Sequence, residues 1–122
     1  MFKSREETDK RGCKQLYYYL TQGDSCTIYA TPKNNNGDKL PISDFQKCVF
    51  KLSNIDYEQE FTKELSTLGD NFVLRLTAEE TQNFSIDVHM YEFEYTLTSG
   101  EVQTPNQYKF EILPQIVKKI EG

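Results

Sequence analysis

Residues 88–112 read VHMYEFEYTLTSGEVQTPNQYKFEI, and this stretch decides the fold. From His89 to Leu97 every second residue is apolar or aromatic, while the later intervening residues are Glu or Thr. A period of two residues puts one face of a strand on a core and the other in water. The turn signal Thr98-Ser99-Gly100-Glu101 precedes a second alternating run that ends at Ile112. The stretch predicts an antiparallel hairpin that closes a β-sheet domain.

Outward from this hairpin, the rest of the chain is also made of short strand signals. Turn residues separate them, and no helix of core length is indicated. The pattern predicts an all-β chain, an antiparallel immunoglobulin-like β-sandwich of about seven strands, with a barrel as the competing architecture. The further strand signals are Gln15–Leu20, Ser25–Thr31, Lys47–Ser53, Tyr57–Leu65 and Phe72–Thr77.

Two of these segments carry a more specific local signal. Tyr57–Leu65 is rich in charge and has few apolar anchors, so we expect it at a sheet edge, where charges discourage unwanted pairing. Thr77 is followed three residues later by Glu80, which is a capping-box signature. It predicts one short helical turn that crosses between the sheets, with Phe84 and Ile86 tucked beneath it. Ser66–Asn71 is predicted as a turn.

The 122 residues suit a single domain. Met1–Lys14 is polar and has no sustained strand or helix period, so it is expected to be a flexible N-terminal arm. Such an arm is either a disordered tail or a segment that orders only against a partner. The sandwich is expected to span residues 15–116, and Val117–Gly122 to form a C-terminal tail.

Charge and hydropathy exclude several classes of function. The net charge of −5 disfavours nucleic acid as the main partner, because an acidic chain repels a phosphate backbone. No apolar run has the roughly 20 residues that a membrane helix needs. The first residues also lack the apolar core of a secretory signal, so we expect a protein that is made in a cytoplasm and has no membrane partner.

Metal and cofactor signals are weak. Cys13, Cys26 and Cys48 form no CxxC motif, and the latter two fall on the inward phase of their strands. Buried free thiols are expected, with a bridge between neighbouring strands left open. His89 is the only histidine, which excludes a multi-histidine metal site, and no DxDxDG calcium loop is present. We therefore predict no metal and no cofactor.

Catalytic residues are not expected either. His89 starts a strand, and its ring is predicted to lie at the core boundary. Ser85 and Asp87 are close to it in sequence, but neighbours on one strand alternate faces, so a working triad is not predicted. A pocket in which His89 meets an acid and a hydroxyl would contradict this. Glu92 and Glu94 are expected on a solvated outer face or on a surface that meets a basic partner.

The candidate interface lies near the N-terminus. The run Tyr17-Tyr18-Tyr19 cannot place every ring on one face of a strand, so at least one ring stays outside as edge packing or as an interface anchor. The neighbouring arm supplies the basic side chains. We predict subunit contacts through Tyr17, Tyr18, Tyr19, Arg5, Lys10 and Arg11, by strand-edge pairing and by arm exchange.

Four pieces, taken in order, carry a resemblance to a known family. They are TQGDSCTIYATPKNNNGDKLPISDF, KCVFKLSN, NFVLRLTAEETQNF and MYEFEYTLTSGEVQTPNQYKFEILPQI. Their layout resembles small virion domains of tailed bacteriophages, namely the immunoglobulin-like N-terminal domain of baseplate upper proteins and related head or tail accessory proteins. The resemblance covers roughly residues 17–116.

This resemblance implies a non-enzymatic structural or docking module of a virion. The implied positions are a head decoration, a head fibre, or a tail, connector or baseplate component. Its implied partners are other virion proteins and further copies of itself, after synthesis in the host cytoplasm. The alternative is a host-surface or carbohydrate-binding module, in which aromatic residues and loop carboxylates such as Asp38 and Asp70 hold a glycan.

Overall fold

The computed structural model describes residues 3–8, 14–34, 36–104 and 107–114. Within these ranges the chain forms ten strands, one short α-helix (α1, Ala78–Gln82) and one 3-10 turn (Ile42–Asp44). The strands are β1 (Lys3–Thr8), β2 (Lys14–Thr21), β3 (Cys26–Ala30), β4 (Phe45–Asn54), β5 (Gln59–Glu64), β6 (Ser66–Leu68), β7 (Asn71–Leu76), β8 (Val88–Leu97), β9 (Val102–Gln103) and β10 (Gln107–Leu113).

The strands form two sheets. The larger has seven strands in the order β1-β2-β10-β8-β4-β5, with β9 added to β8, and the smaller has the order β3-β7-β6. Described neighbours pair antiparallel except β2 and β10, which run parallel. The predicted immunoglobulin-like β-sandwich is confirmed. The parallel pair and the additional short strands go beyond the sequence prediction.

The core lies between the two sheets, where the inward phase of each long strand meets that of the other sheet. Each fully buried Phe or Leu side chain contributes about 1.5–3 kcal/mol relative to an exposed one. The alternation predicted for Lys47–Ser53 is confirmed, because Cys48, Phe50 and Leu52 are all buried. The largest fully buried apolar side chains are Phe50, Phe110, Leu20, Leu52, Leu74, Leu76, Ile112 and Val73.

The predicted closing hairpin is present. β8 pairs antiparallel with β9 directly after the turn, and then with β10 from Gln107 opposite Glu92 to Glu111 opposite Val88. The turn is closed by the Leu97 amide, which donates to the Glu101 carbonyl at 2.8 Å. β8 is therefore a central strand of the large sheet, between β10 and β4.

The predicted helical turn is also present. Thr77 Oγ1 accepts from the Glu80 amide at 3.1 Å, and the Glu80 carboxylate accepts from the Thr77 amide at 2.9 Å. This reciprocal cap starts α1, which connects β7 of the small sheet to β8 of the large sheet. Phe84 is buried beneath it as predicted. Ile86 is 47% exposed, so that part of the prediction is wrong.

Two segments differ from the sequence prediction. Lys3–Thr8, within the predicted arm, is a strand that pairs antiparallel with β2 of the same chain. Its polar composition has no alternation, so the order comes from the ladder to β2. Ser66–Leu68, within a predicted turn, is a short strand paired with β7. The predicted tail Val117–Gly122 and the predicted domain end at Ile116 lie outside the described residues.

Candidate functional site

The predicted interface lies at one edge of the large sheet. β1 is the outermost strand on this side, and its far side has no strand partner within the described part of the chain. In the ladder Arg5 lies opposite Tyr17, and Lys3 lies opposite Tyr19. The structure thus places Arg5 on the strand beside the tyrosine run, and its contact with another subunit stays a prediction. Lys10 and Arg11 lie outside the described residues.

The tyrosine strand itself is not a free edge. β2 pairs with β1 along Lys14–Tyr19 and with β10 along Tyr17–Thr21. Direct edge pairing of this strand with another subunit would require β1 to leave. The prediction of edge pairing through the tyrosine run is therefore corrected: on this side of the sheet the backbone that is open to a partner belongs to β1.

Tyr18 faces inward and is half-buried. Its ring meets Tyr91 at 5.9 Å and Tyr108 at 6.3 Å in edge-to-face geometry, while Tyr91 and Tyr108 stack at 5.2 Å. Burial, followed by the nearby Tyr108, raises the pKa of Tyr18. These contacts anchor β2 to the core. Tyr18 is therefore a packing residue, and Tyr19 is partly exposed beside it.

His89 is fully buried and has three polar contacts. Its Nδ1 lies 2.9 Å from the Asp87 carbonyl oxygen, which can only accept, so Nδ1 carries a hydrogen. Its Nε2 contacts the Glu60 carboxylate and lies 3.1 Å from Ser85 Oγ. Ser85 Oγ also donates to Glu60 Oε1 at 2.8 Å. The prediction that this ring lies at the core boundary is wrong, since the ring is fully buried, and its contacts with an acid and a hydroxyl were not predicted.

This arrangement differs from that of a nucleophilic triad. There the acid holds one imidazole nitrogen and the hydroxyl meets the other. Here Glu60 and Ser85 both approach Nε2, and the serine hydrogen is directed to the carboxylate. The His89 ring has no exposed surface. The cluster ties β5 to the start of β8 and satisfies a buried polar ring.

Sequence reasoning missed this cluster for two reasons. Ser85 precedes the strand that begins at Val88, so the alternation rule did not apply to it. The acid is Glu60, which is distant in sequence and on another strand. The only sequence signal was the single histidine on an apolar phase, which in a core needs hydrogen-bond partners.

Both described cysteines are buried free thiols, as predicted. Burial raises the pKa of Cys26 to about 11 and that of Cys48 to about 12. Thiols held in the neutral form are poor nucleophiles and poor metal ligands. Cys13 lies outside the described residues.

Two properties of the described residues bear on other kinds of site. They contain no group of three or more His, Cys, Asp or Glu residues arranged to hold a metal ion. They also contain no helix that is long and apolar enough to cross a membrane.

The two packed sheets define an immunoglobulin-like β-sandwich domain. No family model matches the chain, and no curated protein matches it. The chain is similar to the crystal structure of CopC from Methylosinus trichosporium OB3b, with a TM-score of 0.50 and 6% sequence identity over 83% of this chain and 87% of that one. At this identity the likeness concerns the fold alone.

Proposed function

We propose that this chain is a non-enzymatic structural protein of a tailed-bacteriophage virion. It acts as a docking and assembly module of the head, as a decoration or head-fibre component, or of the tail and baseplate. Its partners are other virion proteins and further copies of itself, and neither nucleic acid nor membrane takes part. The proposal starts from the four sequence pieces whose order along the chain resembles that of phage virion domains.

The observation that carries the docking role is the pairing of β1 with β2 at the edge of the large sheet. β1 is joined to the sandwich through one ladder, of six residue pairs with β2. Its residues are polar, so little apolar burial opposes its release. The same ladder can form between β1 of one copy and β2 of a neighbour without any new contact type. Arm exchange is therefore a low-cost route to an assembly.

The His89 cluster supports the absence of catalysis in this proposal. A reaction at Ser85 would need Nε2 to accept the serine proton, and the Glu60 carboxylate occupies that nitrogen. A substrate would also need to reach a ring that is buried. The cluster instead joins β5 to the start of β8.

The two loop carboxylates predicted for the carbohydrate-binding alternative, Asp38 and Asp70, do not support it. Asp38 closes a turn in which its carbonyl accepts from the Asn34 amide at 2.9 Å, and Asp70 lies in the turn between β6 and β7. Neither residue lines the cavities found beside the exposed tyrosines. A saccharide-binding role therefore has to rest on residues other than Asp38 and Asp70.

Deletion of residues 1–13 tests the proposal. We expect the truncated chain to keep the circular dichroism and cooperative melting of a β-sandwich, and to be absent from purified phage particles by mass spectrometry. A matched variant with Arg5, Lys10 and Arg11 each changed to Gln keeps residues 1–13 in place and removes three of their positive charges. Incorporation of this variant would assign docking to β1 pairing, and its exclusion would assign docking to the basic side chains. Incorporation of the deleted chain at the normal level would contradict the proposed role of the arm.

A further inference from the structure

Three tight turns of this chain share one backbone design. In each, the first residue's amide donates to the fifth residue's carbonyl, and the fourth residue's amide donates back to the first residue's carbonyl. All six of these hydrogen bonds are 2.8–3.0 Å long. The first and fifth residues are Asn34 and Asp38, Asn54 and Glu58, and Leu97 and Glu101.

The fourth position of these turns requires a left-handed backbone. Two of the turns place glycine there, Gly37 at φ 84° and Gly100 at φ 91°. The third places Tyr57, at φ 63°. It is the one non-glycine residue with positive φ within the described chain. A bulky side chain is disfavoured in this conformation, because its Cβ crowds the following carbonyl.

Core burial does not compensate for this strain, since the Tyr57 side chain is 64% exposed. Non-glycine residues held in a left-handed backbone conformation cluster at binding sites and other functional sites. Tyr57 also forms one wall of an open cavity of about 280 Å³ on the outer face of the large sheet. The residues that line it with Tyr57 are Lys51, Leu52, Ser53, Gln59, Met90, Tyr91, Glu92 and Gln107.

The polar groups around this cavity are held in place. Lys51 Nζ pairs with Glu94 at 2.5 Å, and Gln107 Nε2 donates to Glu92 at 3.3 Å. Amide, ammonium and carboxylate groups on adjacent strands thus offer both donors and acceptors beside one exposed aromatic ring. Such a set matches a sugar, which has an apolar C–H face and a rim of hydroxyls.

We propose that this pocket, the Tyr57 pocket, binds a saccharide, with one sugar ring stacked on Tyr57 and its hydroxyls bonded to Lys51, Glu92 and Gln107. The cavity is near the lower limit for ligand sites, which fits one ring and disfavours a larger ligand. The net charge of −5 favours a neutral sugar over an anionic one. This inference goes beyond the docking role and does not depend on it.

The test is a titration of the full-length chain, followed by NMR, with the methyl glycosides of glucose, galactose, mannose, rhamnose and N-acetylglucosamine. We expect millimolar binding of at least one, with shifts confined to residues of the Tyr57 pocket. Tyr57→Gly should abolish these shifts. The same variant should raise the melting temperature by roughly 4 °C, because glycine removes the strain.

Two controls separate the effect of the Tyr57 ring on binding from the effect of the left-handed backbone on stability. Tyr29→Ala removes another exposed tyrosine, one that does not line the pocket, and should leave binding intact. Gly100→Tyr puts a tyrosine at the equivalent turn position, where an added Cβ meets no atom within 4 Å. This variant should lower the melting temperature only because a tyrosine disfavours the left-handed backbone at this position.

The proposal is overturned if no glycoside perturbs the pocket, if Tyr57→Gly still binds, or if that variant melts at a lower temperature. Perturbation of the same residues by a purified virion protein, and by no glycoside, would assign the pocket to protein docking and also overturn it. Particle incorporation of Tyr57→Gly is measured separately. A failed saccharide site and a failed docking role are therefore distinguishable.

Discussion

The Glu60 carboxylate reaches the buried His89 ring because β5 carries one extra residue at that point. Leu52 of β4 lies opposite Phe61, and the next residue, Ser53, lies opposite Gln59. Glu60 is thus the additional residue of a β-bulge. Bulges change the direction in which a side chain points, and here the bulge brings a charged residue of an edge strand to an inner histidine.

We expect Glu60→Ala to destabilise the domain by about 1–3 kcal/mol, because a buried ring nitrogen loses its main partner. Glu60→Gln keeps a hydrogen-bonding group at the same place and should cost less. Urea unfolding curves measure both values. Equal stability of the two variants would contradict the role assigned to the His89 cluster.

Thr81 joins α1 to the turn between β2 and β3. It is fully buried, and its hydroxyl accepts from the Gly23 amide at 3.1 Å and donates to the Asp24 carbonyl at 2.8 Å. Thr81→Val keeps the shape and leaves both backbone groups without this partner. We expect a loss of about 1–3 kcal/mol in the free energy of unfolding. Thr67→Val, at an exposed position on β6, is the matched control and should change stability little.

Alkaline pH should unfold this domain through its buried tyrosines. Burial raises the pKa of Tyr91 and Tyr95 above the ordinary value of 10.0. Both tyrosines stay protonated in the folded chain at a pH at which the unfolded chain ionises. Their contribution to the free energy of unfolding is therefore complete below pH 10 and is lost as the pH rises above 10. Each contributes a slope of up to about 1.4 kcal/mol per pH unit.

Tyr91→Phe should reduce this slope, measured by urea unfolding at a series of pH values above 10. Tyr29→Phe changes an exposed tyrosine and serves as the control. An unchanged slope in Tyr91→Phe would show that ionisation of this hydroxyl is not linked to unfolding.

Acid sensitivity should depend on the pair between β5 and α1. Lys63 Nζ lies 2.8 Å from Glu80. Burial works to raise the pKa of Glu80, but the bonds from Lys63 and Thr77 outweigh it and the pKa falls below 4.5. The pair therefore stabilises the domain above pH 4.5, and this contribution is lost as the pH falls through the lowered pKa.

Lys63→Met should make the free energy of unfolding less dependent on pH below 4.5. The difference should be less than about 1 kcal/mol, because the pair is partly exposed. Lys47→Met, at an exposed position on β4, should leave the acid dependence unchanged. An identical acid profile for both variants would count against a stabilising Lys63–Glu80 pair.

Local rules predicted much of the fold. The alternation in β4 and β8 placed Phe50 and Tyr91 in the core, and the Thr77 capping box located α1. These features depend on residues within a few positions of each other, so they can be read from sequence. The pairing of Lys3–Thr8 could not be, because a polar strand carries no periodic signal and takes its order from the neighbouring ladder.

The candidate sites show the same division. The sequence pointed to the tyrosine run, but it did not reveal that β2 is paired on both sides or that Glu60 and Ser85 meet His89. The strain at Tyr57 was equally hidden, since only the backbone hydrogen bonds show that a tyrosine occupies a glycine position.

By itself the sequence determined the all-β class, the strand faces and the turns, because side-chain alternation and turn chemistry act over short distances. Tertiary structure alone decided the strand order, the bulge that directs the Glu60 carboxylate to His89, and the position of β1 at the open edge of the large sheet. Those features arise from hydrogen bonds between residues far apart in the chain, and no local pattern specifies which distant strand becomes the partner.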